Sequence, residues 1–215
     1  MEIPGGPRNK MVVCAYEAMG CGILVTTVNM TAGQDYQLWA IGFALTVAII
    51  LLGPISNAHC NPAVTIGVMI REFGEDRAKN RKLEIFTFAI RIMIAQIIGG
   101  AIACFIILGV RSKEDETAIA TLCGPIGGKF VDGELKMCDP DGMFGKMFLA
   151  EIIGTFLFVS VNVNIIYNNG SDEIILNAII IGLALCVGIM VAAPTSGAAI
   201  NPGVGLVQPI FQSIV

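Results

Sequence analysis

The sequence predicts an all-α membrane protein made of two related halves. Three observations carry this. The 215 residues are 55% hydrophobic and only 14% charged, against roughly a quarter charged in an ordinary soluble domain. The apolar residues gather into five runs, each near the roughly 20 helical residues that a bilayer crossing takes. One short polar motif occurs twice, each time directly after an apolar run.

The length fits one membrane domain, 1–215, with a first repeat at about 11–110 and a second, incomplete one at about 147–215. The net charge of −4 is mild and gives no sign of a nucleic-acid partner. Two basic residues, Arg8 and Lys10, precede the first apolar run, as in a signal peptide. The run carries Glu17, however, and no clear cleavage site follows, so it reads as a retained first helix.

In chain order, the first span is expected at 11–30 and the second at 36–53. Gly53 and Pro54 are expected to break the second. Asn61-Pro62-Ala63 then restarts a helix. Asn is a favoured N-cap, and Pro at the first helical position lacks only an N–H that would be unpaired anyway. This helix, 62–72, is too short to cross and reads as a half-span. A charged connector at 71–84 leads to a span at 84–110, followed by a long mixed loop at 111–146. Spans at 147–168 and 174–193 come next. Pro194 opens the second copy of the motif, and a second half-helix covers 202–213.

The two motif copies align without a gap. Pro54, Ser56, Ala58, Asn61, Pro62 and Val64 match Pro194, Ser196, Ala198, Asn201, Pro202 and Val204, each pair 140 apart (201 − 61). One Asn-Pro could cap any helix, but two in register indicate duplicated broken helices, as in transporters whose site lies near the midplane. The halves also repeat at Glu17-x-x-Gly20 and Glu151-x-x-Gly154, 134 apart (151 − 17). Ionised carboxylates inside apolar spans need partners, and the N–H groups of the two loops are suitable ones.

Ser-x-Ala-His-x-Asn-Pro-Ala-Val-Thr at 56–65 and Ser-Gly-x-x-x-Asn-Pro at 196–202 resemble the aquaporin family, the major intrinsic proteins. The resemblance runs from about Tyr16 to Leu206. It implies an aquaporin-like inverted repeat, here five full transmembrane helices plus two re-entrant half-helices. It implies a pore at Asn61, Pro62, Ala63, Asn201, Pro202 and Gly203, with His59, the only histidine, beside it. By the same resemblance Glu17, Glu151 and Gln96 brace the loops, and the chain forms a homotetramer with one pore per subunit. Counting without gaps from the two Asn residues puts the family's four-residue filter on Ile41, Ile189, Ala198 and Val204. Most members carry Arg where Val204 stands, and Ala where Gly203 stands. The apolar ring resembles the filters of some plant vacuolar members more than those of strict water channels.

The function expected is passive passage of water or small uncharged solutes, with ions and protons excluded where the two half-helix N-termini meet. Each N-terminus carries roughly half a positive charge, and the Asn amides donate to a passing oxygen. No cofactor or metal is expected: a single histidine stands without a carboxylate cluster, and no nucleophile–base pair suggests an enzyme. The alternative is a non-conducting structural subunit that keeps the fold for assembly. It is favoured by the lost Arg and by the missing sixth span, which the repeat demands. The thirteen residues after Pro202 leave no room for that span. The expectation is a truncated sequence record, the other options being a helix that is absent or supplied by another chain.

Arg8, Lys10, Arg71, Arg77, Lys79, Arg81 and Lys82 outnumber Arg111, Lys113, Lys129, Lys136 and Lys146, which places the N-terminus in the cytoplasm by the positive-inside rule. Seven cysteines are present. Those in apolar helices serve as small hydrophobes, and Cys123 and Cys138 are free to pair if their loop faces an oxidising compartment.

Overall fold

The computed structural model describes residues 9–76, 79–110, 128–131, 134–137, 144–168 and 173–212. Among them are seven helices: α1 (Lys10–Met30), α2 (Gln37–Ser56), α3 (Pro62–Phe73), α4 (Lys82–Val110), α5 (Phe144–Tyr167), α6 (Ile174–Ser196) and α7 (Pro202–Gln212). The five long ones are 21, 20, 29, 24 and 23 residues, apolar enough to cross a bilayer. α3 and α7 have 12 and 11 residues and at about 1.5 Å per residue reach roughly halfway.

Helix α1 packs most extensively on α4 and α5 on α6, while α2 joins α1 to α6. Glycine makes the closest of these approaches. A Cβ on Gly99 would overlap the Ala18 carbonyl, so α4 meets α1 backbone to backbone. A Cβ on Gly154 would stand 2.8 Å from the Gly188 oxygen, and one on Gly188 2.9 Å from the Gly154 oxygen. Small residues let membrane helices pack this closely, since lipid provides no hydrophobic drive to press them together. Outward, Phe43, Phe105 and Phe156 are 64%, 67% and 69% exposed. Exposure on that scale suits a lipid-facing surface.

Two large apolar clusters make up most of the interior, with two smaller ones, around Val13 and Ile92 and around Val28, beside them. The larger joins Leu45, Leu52, Val64, Phe158, Ile181 and Ile200 from α2, α3, α5, α6 and the second loop. The other joins Cys21 and Val25 of α1, Ala103, Cys104 and Ile107 of α4, and Val204, Val207 and Phe211 of α7.

Contacts at one end of the bundle fix the direction of the elements. Lys10 pairs with Glu84 at 2.9 Å, joining the starts of α1 and α4. The Tyr167 hydroxyl donates to Glu72 at 2.6 Å, and the Arg71 guanidinium lies 5.1 Å from the Tyr167 ring, joining the ends of α3 and α5. Helix α3 therefore runs outward to this end. Helix α7, whose first residues meet those of α3, runs to the other.

Several expected boundaries are corrected. Gly53 and Pro54 do not break α2, which continues to Ser56, and Pro194 does not end α6, which also runs to a serine, Ser196. Proline's fixed φ is helical, and in a last turn it removes little more than one hydrogen bond. The irregular backbone is correspondingly shorter, 57–60 and 197–200. Helix α5 begins at Phe144 rather than at 147. Inside the stretch read as a long mixed loop, β1 (Gly128–Val131) pairs antiparallel with β2 (Glu134–Met137). The Asp132-Gly133 pair between them is a hairpin signal that the sequence reading passed over. The Cys123–Cys138 pairing lies outside the described residues.

Candidate functional site at the two interhelical loops

The two loops share one backbone path. Helix α2 stops at Asn57 (φ 70°) and α6 at Gly197 (φ 83°), both left-handed, with N–H groups bonded back to Gly53 and Ala193 at 3.0 Å each. Ala58 and Ala198 (φ 45° and 58°) and Cys60 and Ile200 (φ 53° and 47°) follow in the same region. Each pair is again 140 apart (200 − 60). Left-handed backbone at a residue other than glycine costs on the order of 1–3 kcal/mol and persists only where surroundings over-determine it.

Two carboxylates are the strongest of those surroundings. Glu17, on α1, accepts from His59 N at 3.0 Å and from Cys60 N at 2.8 Å. Glu151, on α5, accepts from Ala199 N at 2.9 Å and Ile200 N at 2.8 Å. In each loop one carboxylate takes two consecutive N–H groups, the second belonging to a left-handed residue. A charged acceptor makes these bonds roughly twice as strong as neutral ones. Each carboxylate has a third donor of different origin: the Gln96 amide of α4 for Glu17, at 2.8 Å, and the Ser196 hydroxyl for Glu151. The two serines also accept from the loops, Ser56 Oγ from Ala58 N at 3.0 Å and Ser196 Oγ from Ala198 N at 3.2 Å.

The two asparagines cap the half-helices and cross between the loops. Asn61 Oδ1 accepts from Ala63 N at 2.8 Å and Asn201 Oδ1 from Gly203 N at 2.9 Å. Asn61 Nδ2 donates to the Ile200 carbonyl at 3.3 Å and Asn201 Nδ2 to the Cys60 carbonyl at 3.0 Å. The carbonyls that receive them belong to the left-handed residues that the carboxylates hold. An amide nitrogen has two hydrogens, so each asparagine retains one. The sequence reading gave these amides a role toward a passing oxygen; the crossing bonds between loops were not anticipated.

His59 is fully buried, and its Nδ1 lies 3.2 Å from Thr65 Oγ1. Thr65 is a residue the sequence reading missed, although it stands four positions after Asn61 on α3. Its hydroxyl accepts from Gln96 Nε2 at 3.1 Å and reaches back to the Asn61 carbonyl at 3.2 Å. Glu17, Gln96, Thr65 and His59 thus form one chain of contacts.

The four filter positions divide. Ile41, Ile189 and Ala198 are part-buried and pack around the larger cluster. Val204 is 4% exposed and belongs to the second cluster, against α1 and α4.

Two short helices that start from asparagine at membrane depth, tied to each other and each backed by a carboxylate, define a membrane protein with re-entrant half-helices. Residues 10–213 match the family profile described as Major intrinsic protein, and the chain belongs to that family. It is 31% identical over 165 residues to Aquaporin AqpM of Methanothermobacter marburgensis, covering 76% of this chain and 57% of that protein. It is 31% identical over 173 residues to Glycerol uptake facilitator protein-like 6 of Lactiplantibacillus plantarum, covering 80% and 68%. To human Aquaporin-1 it is 29% identical over 176 residues, covering 81% and 56%. The chain therefore spans little more than half the length of two of these three relatives.

Proposed function

We propose that the chain forms a passive transmembrane channel for water and small uncharged solutes. The observation that carries this is the crossed pair of asparagine bonds, Asn61 to the Ile200 carbonyl and Asn201 to the Cys60 carbonyl. They hold two half-helix N-termini face to face. Irregular backbone at membrane depth is tolerated only where protein buries it or where it lines a wet path, and residues 57–60 and 197–200 are such backbone. The names of the relatives, aquaporins and a glycerol uptake facilitator, support the same class.

The two N-termini give the midpoint a positive potential that repels cations and disfavours proton hopping. The remaining amide hydrogens of Asn61 and Asn201 donate to an oxygen in transit. Ile41, Ile189 and Ala198 form the narrowest part, with Val204 at its margin against α1 and α4, His59 beside the path and Glu17, Glu151 and Gln96 as braces. An apolar filter offers few hydrogen bonds to offset those a hydrated solute gives up. It suits water in single file and small, weakly hydrated solutes such as ammonia or hydrogen peroxide, with weak discrimination among them. The assembly is a homotetramer in the bilayer, with the N-terminus cytoplasmic.

The test is stopped-flow swelling and solute uptake in liposomes containing the protein. Water flux well above empty liposomes, without ion current, is the expected result. Flux no greater than that of empty liposomes overturns the reading in favour of a non-conducting structural subunit.

A further inference from the structure

We infer that Gln96 and Thr65 hold His59 as the neutral tautomer protonated at Nδ1, so that Nε2 is left as a bare hydrogen-bond acceptor. The argument begins at Glu17. A carboxylate only accepts, so the Gln96 side chain must turn its nitrogen, not its oxygen, toward Glu17 Oε2 at 2.8 Å. That nitrogen's second hydrogen goes to Thr65 Oγ1 at 3.1 Å. The Thr65 oxygen has one hydrogen and one further lone pair to assign; its nearest remaining neighbours are the Asn61 carbonyl and His59 Nδ1, each at 3.2 Å, with Gln96 Oε1 farther off at 3.5 Å, on the amide whose nitrogen already bonds this oxygen.

If Thr65 donates to the Asn61 carbonyl, His59 Nδ1 donates to Thr65, and all three bonds around the hydroxyl are made. If Thr65 donates to Nδ1 instead, the carbonyl bond is lost, a lone pair of Thr65 is unused, and an N–H at Nε2 is left over. His59 Nε2 is buried and has no hydrogen-bond partner among the described residues. An orphaned N–H is rarer in protein interiors than an under-used acceptor. The first arrangement therefore makes one more bond and leaves the better tolerated atom unpaired. The ring stays neutral: Glu17 is occupied by His59 N, Cys60 N and Gln96, no carboxylate bonds the imidazole among the described residues, and an uncompensated charge at this depth is costly.

Taken with the channel reading, on which this part rests, the lone pair of Nε2 selects for solutes that donate hydrogen bonds, such as water, ammonia and small alcohols. Thr65 and Gln96 act through His59 and are positioning residues.

Because His59 is the only histidine, nitrogen NMR of ¹⁵N-histidine-labelled protein in lipid reads the tautomer directly. The expected result is a protonated Nδ1 and an unprotonated Nε2. This is the reverse of the preference of free histidine, so the protein must impose it. Thr65→Val should shift most of the ring to the Nε2–H form, and Thr65→Ser should restore Nδ1–H. An Nε2–H ring in the wild type, or one tautomer shared by wild type and Thr65→Val, overturns the assignment. In liposomes, Thr65→Val should lower water flux severalfold and Thr65→Ser should leave it near wild type. Equal flux in all three removes Nε2 from the path. An absence of flux in the wild type removes the channel reading and the solute preference with it, while the tautomer is still read by NMR.

Discussion

The first loop, 57–60, and the second, 197–200, have nearly the same backbone but different surroundings. Glu17 is fully buried, and its third donor comes from another helix, α4, through Gln96. Glu151 is part-buried, and its third donor is Ser196, at the entrance of the very loop it serves. Where the first repeat carries His59 and Thr65, the second carries Ala199 and Gly205, each 140 further on (199 − 59, 205 − 65). The lesson is that the bonds common to both loops, two consecutive N–H groups on one carboxylate, one N–H on the serine that ends the helix and one carbonyl on the opposite asparagine, go with this backbone. The side chains at the other positions are then free to diverge, and only the first loop gains a polar chain reaching to α4.

Glu17→Ala should have the largest effect. It leaves two loop N–H groups and the Gln96 amide without their acceptor, at about 1–3 kcal/mol for each buried group. The expected outcome is loss of folded protein, read as aggregation in size-exclusion chromatography. Wild-type yield and melting temperature would show that the first loop holds its path without the carboxylate. Glu151→Ala should follow with a smaller loss, because that site is only part-buried, and should give folded protein with a lowered melting temperature. If it proves as damaging as Glu17→Ala, the contrast between the loops is not one of burial.

Gln96→Leu should cost less again. It removes one of three donors to Glu17 and disconnects Thr65, yet leaves both backbone bonds in place, so a drop of several degrees in melting temperature is expected. No drop would mean that α4 contributes nothing to the first loop. Val204→Arg should affect stability least and selectivity most. The new side chain cannot leave its charge among Cys21, Val25 and Ala103 and must turn away from them. Directed into the path it would reduce uptake of solutes larger than water, measured in liposomes. Unchanged uptake would remove position 204 from the filter.

Much of the site is legible in the chain itself, because its parts are local or duplicated. Asn61-Pro62 and Asn201-Pro202 are helix starts by their own chemistry, and the spacing of 140 identifies them as copies. Glu17 and Glu151 stand out because a carboxylate in an apolar run needs an explanation. Thr65 did not stand out, since a threonine in the first turns of a helix ordinarily needs none. Pro54 and Pro194 misled, because a proline in a last turn costs too little to end the helix there.

The sequence by itself thus determined the spans, the half-helices and the duplication, which follow from hydropathy and from capping chemistry within a few residues, and its two motifs carried the resemblance to the family. Only the tertiary structure decided which carbonyl each asparagine crosses to, that Gln96 links Glu17 to Thr65 and His59, and that Val204 packs with α1 and α4 rather than with Ile41, Ile189 and Ala198. These are contacts between residues tens of positions apart or more. Their partners are chosen by how closely the helices pack at glycines such as Gly99 and Gly154, a distance that no local pattern encodes.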